Sequence, residues 1–217
     1  MSKSKGNKAF KLTSELVEKA CLETVYWWVD CEAAYHSVFK SKSINKNTQE
    51  VFYKFTKKYS VRRTLTGTGA KGKDATDYLL TKLNSEFYSK AKAAKDVSFV
   101  DDNAKAYTEK KIVSLLSKYA TLISPDYFGM YDGNALWSLR QYDNEYKISD
   151  YASFFKAFTN FKTKELPKIK SKTIKYYLDM LQKRFKNLKS PITDQVFKNR
   201  LADKLLWVYF DDILKRK

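Results

Sequence analysis

A chain of 217 residues with 42 Lys and Arg against 24 Asp and Glu carries a formal net charge of +18, a balance that favours a polyanionic partner, nucleic acid ahead of an acidic membrane surface. Aromatic residues make up 16%, with 16 Tyr, 14 Phe and 4 Trp; interleaved with lysine they suit base stacking beside phosphate neutralisation, although Tyr- and Lys-rich usage also follows from an AT-rich genome. One histidine and two cysteines speak against a tetrahedral zinc site and against Ser-His-Asp or Cys-His catalysis, so no metal or cofactor is expected.

Residues 1–11 read as a basic, disordered arm, and residues 12–217 as a single mainly α domain. Thr13 or Ser14 caps a long helix over roughly residues 14–40, with Leu16, Ala20, Trp27, Cys31, Ala34 and Val38 at helical spacing. Adjacent Trp27 and Trp28 cannot both face one core, so one of them is free to line a cavity unless the helix packs on two sides. Cys21 and Cys31 stand about 15 Å apart along that helix, too far for a bridge, and fit buried thiols of a reducing compartment. His36 has no arginine shortly before it, as a HEPN-type ribonuclease would require.

After a polar linker over 40–47, Val51, Phe52, Phe55 and Tyr59 mark a second helix. The segment 61–84 holds three of the six glycines, and Gly67-x4-Gly72-Lys73 copies most of a P-loop. Asp74 stands where a magnesium-binding Ser or Thr is needed, and no apolar strand precedes it, so an NTPase is not expected. The clustered cations Arg62, Arg63, Lys71 and Lys73 suit a phosphate contact instead; the alternative is a solvated loop. Residues 90–111 read as a loop.

The stretch 112–142 carries the candidate chemistry. Ile112, Leu115, Leu116, Tyr119, Leu122 and Ile123 recur at helical steps, with Lys118 on the polar border beside Lys111, Ser114 and Thr121. Ser124-Pro125 ends that helix, and an apolar connector leads to Asp132. There the next helix begins, and its free N–H groups stabilise a carboxylate.

Downstream, Ser149 or Asp150 caps a helix carrying Tyr151, Phe154, Phe155, Phe158 and Phe161. Residues 162–189 are almost uniformly basic, and Ile174, Tyr177, Leu178, Leu181 and Phe185 form the apolar stripe of a cationic helix suited to a duplex backbone. Arg140, Lys172 and Lys175 are further candidate phosphate contacts. A closing helix over 194–217 places Arg200 and Asp203 three residues apart, where they can pair. No alternating strand pattern, internal repeat or run of eighteen apolar residues occurs. The expected fold is a mainly α multi-helix bundle, either one body or two small lobes with a cleft between them.

Ser117-Lys118, Pro125, Phe128, Tyr131-Asp132 and Leu136, with Arg200-Leu201, Asp203 and Leu206-Trp207 near the C-terminus, together resemble the 8-oxoguanine DNA glycosylase superfamily of helix-hairpin-helix type, and more closely its small bacterial OGG-like branch. About a fifth of the chain takes part. The glycine-rich hairpin that usually precedes the lysine is absent, Lys110 to Ser114 standing there instead, and the segment from lysine to aspartate is shorter than in the larger superfamily.

The resemblance implies a DNA glycosylase with its catalytic core over about 108–161. Asp132 would stabilise the sugar cation and Lys118 would be the Schiff-base nucleophile. Trp27 or Trp28, Tyr131 and Trp137 would wall the pocket for a flipped base. The implied partner is double-stranded DNA bearing a modified or damaged base, without a membrane or an obligate protein partner, in the cytoplasm at the bacterial nucleoid. Repair and defence against phage DNA both fit. The competing expectations are a non-enzymatic DNA- or RNA-binding protein and a basic interaction protein of the toxin, antitoxin or defence kind.

Overall fold

The computed structural model describes residues 10–61, 65, 72–84, 86–108 and 111–214. Helix accounts for 71% of the structure and no strand forms among the described residues. The first helix starts at Ser14 because the Thr13 hydroxyl accepts the Leu16 N–H at 3.2 Å. It runs as α1 (Ser14–Trp27), passes through a π-helical turn (Trp28–Glu32) and continues as α2 (Ala33–Phe39). The wider turn inserts extra backbone into one helical face, and here it brings Trp28, Cys31 and Glu32 all to the interior.

α3 (Lys46–Lys58), capped by Asn45, buries Phe52 and Phe55 against Phe39 and Tyr119. α4 (Gly72–Leu83) and α5 (Glu86–Ala93) follow, then α6 (Ser98–Asp102). The expectation of a loop over 90–111 is therefore corrected at both of these shorter helices: Phe87, Phe99 and Val100 are buried and give them a packed face. α7 (Val113–Ile123) and α8 (Gly133–Tyr142) are joined by the connector through Pro125, and α9 (Tyr151–Glu165) begins at a full capping box made by Asp150 and Ser153. A 3-10 turn (Leu166–Lys168) leads to α10 (Ser171–Arg184), which ends just before Phe185.

The last helix, α11 (Asp194–Leu214), packs mainly on α1 and α8. Its residues 199–206 are buried without a break, polar Asn199, Arg200, Asp203 and Lys204 included. A helix enclosed on all sides is apolar all round, so its charged groups must find partners inside.

Of the arm expected over 1–11, residues 1–9 lie outside the described residues. Phe10 is not part of a loose arm: its ring packs on Tyr142, Phe161 and Tyr209 at 4.8–5.4 Å. No helix among the described residues is long and apolar enough to cross a membrane.

Candidate functional site

α7 carries Lys118 into the interior. Every residue from Leu115 to Ile123 is buried, and Lys118 is 5% exposed, so it does not sit at a solvent border. Its ammonium donates to the Ser114 hydroxyl one turn earlier at 2.7 Å and to the Tyr131 carbonyl at 3.2 Å, and stands 3.6 Å from Asp132 Oδ2. Burial pushes its pKa below the ordinary lysine value, with the charges of Asp132 and Asp203 opposing the shift.

Asp132 is the N-cap of α8. Extended backbone lets its Oδ1 accept the Ala135 N–H at 2.9 Å, while Oδ2 accepts the Trp207 indole N–H at 2.8 Å. One oxygen is thus committed to the helix, and the other faces the Lys118 amine.

The connector between them is held from three sides. Tyr131 N–H donates to Ser117 Oγ at 3.1 Å and Tyr151 O–H to the Gly129 carbonyl at 2.8 Å. From α11, the Asn199 amide donates to the carbonyls of Pro125 at 2.9 Å and Phe128 at 2.6 Å, and Asp203 Oδ1 accepts the Met130 N–H at 3.3 Å. Buried irregular backbone needs such partners.

Beneath lies a charged floor. Arg200 forks onto Glu32 at 2.7 and 2.9 Å and pairs with Asp203 through its other terminal nitrogen, and Tyr59 donates its hydroxyl to Glu32 at 2.8 Å. Burial opposes the Glu32 charge, yet Arg200 and Lys204 outweigh it and hold that carboxyl below the usual range. The indole ring of Trp27 lies 4.1 Å from the Lys204 ammonium and 5.0 Å from that of Lys58, within cation–π range.

These groups enclose a cavity of about 480 Å³ lined by Trp27, Tyr59, Lys118, Tyr131, Asp132, Lys204 and Trp207 among others, within the size range of small-ligand sites. A larger cavity of about 750 Å³ lies between α9, α10 and α11, lined by Lys172 and Lys175, and shares no lining residue with the first. The smaller one holds the amine and the carboxylate.

The structure brings Lys118, Asp132, Tyr131 and Trp27 together. Two expected pocket walls are corrected. Trp28 is fully buried, its indole N–H spent on the Ser190 carbonyl at 3.3 Å, because the π-helical turn points it into the core. Trp137 packs on Tyr209 and Phe210 on the other side of α8 and lines no part of this cavity.

Among the expected phosphate contacts, Lys73, Lys172 and Lys175 are exposed. Arg140 spends a terminal nitrogen on the Ile148 carbonyl at 2.8 Å and so ties down the loop before α9. Arg62, Arg63 and Lys71 lie outside the described residues. Sequence reasoning missed Glu32, Tyr59 and Lys204, and missed Trp207 as the partner of Asp132. The available signal was a charged cluster, Arg200, Asp203 and Lys204, interleaved with the apolar Leu201, Ala202, Leu205 and Leu206.

Comparison of the chain with family models, curated proteins and solved structures gave no match.

Proposed function

We propose that the chain is a DNA glycosylase, with Asp132 and Lys118 as its catalytic pair. The observation that carries this reading is a buried amine 3.6 Å from a carboxylate oxygen at the edge of a cavity with aromatic walls, in a chain of net charge +18. Breaking the bond from the sugar C1′ to the base leaves positive charge on the sugar. A fixed carboxylate facing it stabilises that charge most in the transition state. A neutral amine can attack C1′ as the base leaves, and ring opening then gives a Schiff base that permits β-elimination. Burial favours the neutral amine of Lys118, and Ser114 and the Tyr131 carbonyl aim it. Only a base taken out of the stack can reach such a cavity, and Tyr131 and Trp207 are its aromatic edges.

The test is incubation with duplex DNAs bearing different base modifications, damage and phage hypermodification included, with abasic sites scored by an aldehyde-reactive probe. Asp132→Asn is the informative variant because asparagine caps a helix as well as aspartate does, so the fold keeps its cap while the site loses its charge and, with an NH2 in place of Oδ2, the acceptor of the Trp207 indole N–H. We expect excision to fall about 10²- to 10³-fold. Borohydride trapping that disappears in Lys118→Gln identifies the lysine as the nucleophile. Excision without trapping assigns the step to water activated by Asp132. Tight, salt-sensitive DNA binding without abasic sites on any substrate, unchanged in both variants, would mean a non-enzymatic binding protein.

A further inference from the structure

Lys204 is 7% exposed, and among the described residues no carboxylate, carbonyl or hydroxyl accepts a hydrogen bond from it. It lines the cavity of about 480 Å³ and also an adjoining one of about 360 Å³, the two sharing Trp27, Lys204 and Trp207. The contrast with its neighbours is sharp. Lys118 has Ser114, Tyr131 and Asp132, and Arg200 has Glu32 and Asp203. An ammonium without a protein acceptor at a cavity wall turns its donors to solvent or to whatever acceptor enters the cavity. The Trp27 ring at 4.1 Å offers only the diffuse negative charge of its face, which leaves the N–H donors of Lys204 open to the cavity.

We infer that Lys204, held in place by Trp27, forms an anion subsite for a planar heterocycle and receives the negative charge of the departing base. The inference rests on the glycosylase reading and assigns the chemical partner of the leaving group. As Lys118 attacks C1′, a C–N bond forms there and the bond to the base breaks, its electron pair passing to the base. Lys204 gives one proton to that base, which departs neutral. The Lys118 nitrogen, now bearing a surplus proton, releases one to solvent. Burial lowers the Lys204 pKa to about 8, against the opposing charge of Glu32, which makes the amine a competent proton donor near neutral pH. Trp27 is a positioning residue, acting through the ammonium that it holds.

Barbiturate, a planar heterocyclic anion near neutral pH, serves as a mimic of the departed base. Its binding is measured by NMR titration of the full chain and of Lys204→Met, Lys204→Arg and Trp27→Leu. We expect Lys204→Met to weaken binding about tenfold or more, Lys204→Arg to restore part of it, and Trp27→Leu to fall between. Trp27 is only half-buried, so that variant keeps the test decisive should a change at Lys204 disturb folding. Equal binding by the wild type and Lys204→Met, or no binding by the wild type, overturns the subsite.

In the excision assay, Lys204→Met slows base release about tenfold or more, yet leaves borohydride trapping on a preformed abasic site within about twofold, because no base departs in that step. A protein that binds barbiturate through Lys204 but neither excises nor traps has the subsite without the glycosylase. One that excises and traps equally well in Lys204→Met has the glycosylase without this role for Lys204.

Discussion

The Trp207 indole N–H donates to Asp132 Oδ2 at 2.8 Å, the same oxygen that faces the Lys118 amine at 3.6 Å. A hydrogen bond to a carboxylate is worth about 1.5–3 kcal/mol, and this one fixes the direction of the oxygen without neutralising it. Trp207→Phe keeps the ring and removes the donor. Single-turnover excision is expected to fall roughly tenfold while borohydride trapping through Lys118 persists.

Lys118 sets a pH dependence whose sign follows from its burial. In the proposed reaction the attacking form is the neutral amine, and burial lowers its pKa from the ordinary 10.5. The neutral fraction therefore grows as pH rises through that lowered value. Trapping rate should climb with pH and level off before 10.5, the ordinary lysine pKa. A profile still climbing at that pH would place the nucleophile on an exposed lysine instead.

Glu32 is needed for stability more than for chemistry. It accepts both arms of the Arg200 fork and the Tyr59 hydroxyl, and it and Arg200 are each 1% exposed in their side chains. Removing Glu32 leaves the buried Arg200 and Lys204 with Asp203 as their remaining nearby carboxylate, so Glu32→Ala should lose about 3–5 kcal/mol in urea unfolding.

Gly129 sits where a side chain has no room. A Cβ there would meet Phe158 ring atoms at 2.7 and 2.8 Å, and Phe158 is fully buried and stacked on Phe154. Gly129→Ala should destabilise the fold by about 1–3 kcal/mol through overpacking. It should also lower activity more than stability alone accounts for, since the displaced connector carries Tyr131 and Asp132. Denaturant melts beside excision rates separate the two effects.

Much of this arrangement was legible in the order of residues. The apolar steps from Leu115 to Ile123, the break at Pro125 and the cap at Asp132 all have local causes, and each appears in the structure as α7, connector and α8. The burial of Lys118 was not legible. Its own helix places it beside polar Ser114 and Thr121, and it is the return of the connector, bringing the Tyr131 carbonyl and Asp132 onto it, that gives its ammonium partners in the interior.

The same limit applies to the tryptophans. Periodicity could not choose between Trp27 and Trp28, because the π-helical turn that decides between them changes the period itself. The direction of the Trp137 side chain depends on Tyr209 and Phe210, more than 70 residues away, and nothing local to α8 shows it. Arg200 and Asp203 could be read as a pair from their spacing; Glu32, 168 residues away from Arg200, could not.

Asn199 holds the carbonyls of Pro125 and Phe128 from 74 and 71 residues further along the chain, and Trp207 reaches Asp132 across 75. During synthesis, then, the lysine and the aspartate leave the ribosome well before the helix that braces the connector between them. Until α11 has emerged and docked, a nascent chain bearing both side chains lacks the Asn199 and Asp203 contacts on the connector and the Trp207 bond to Asp132.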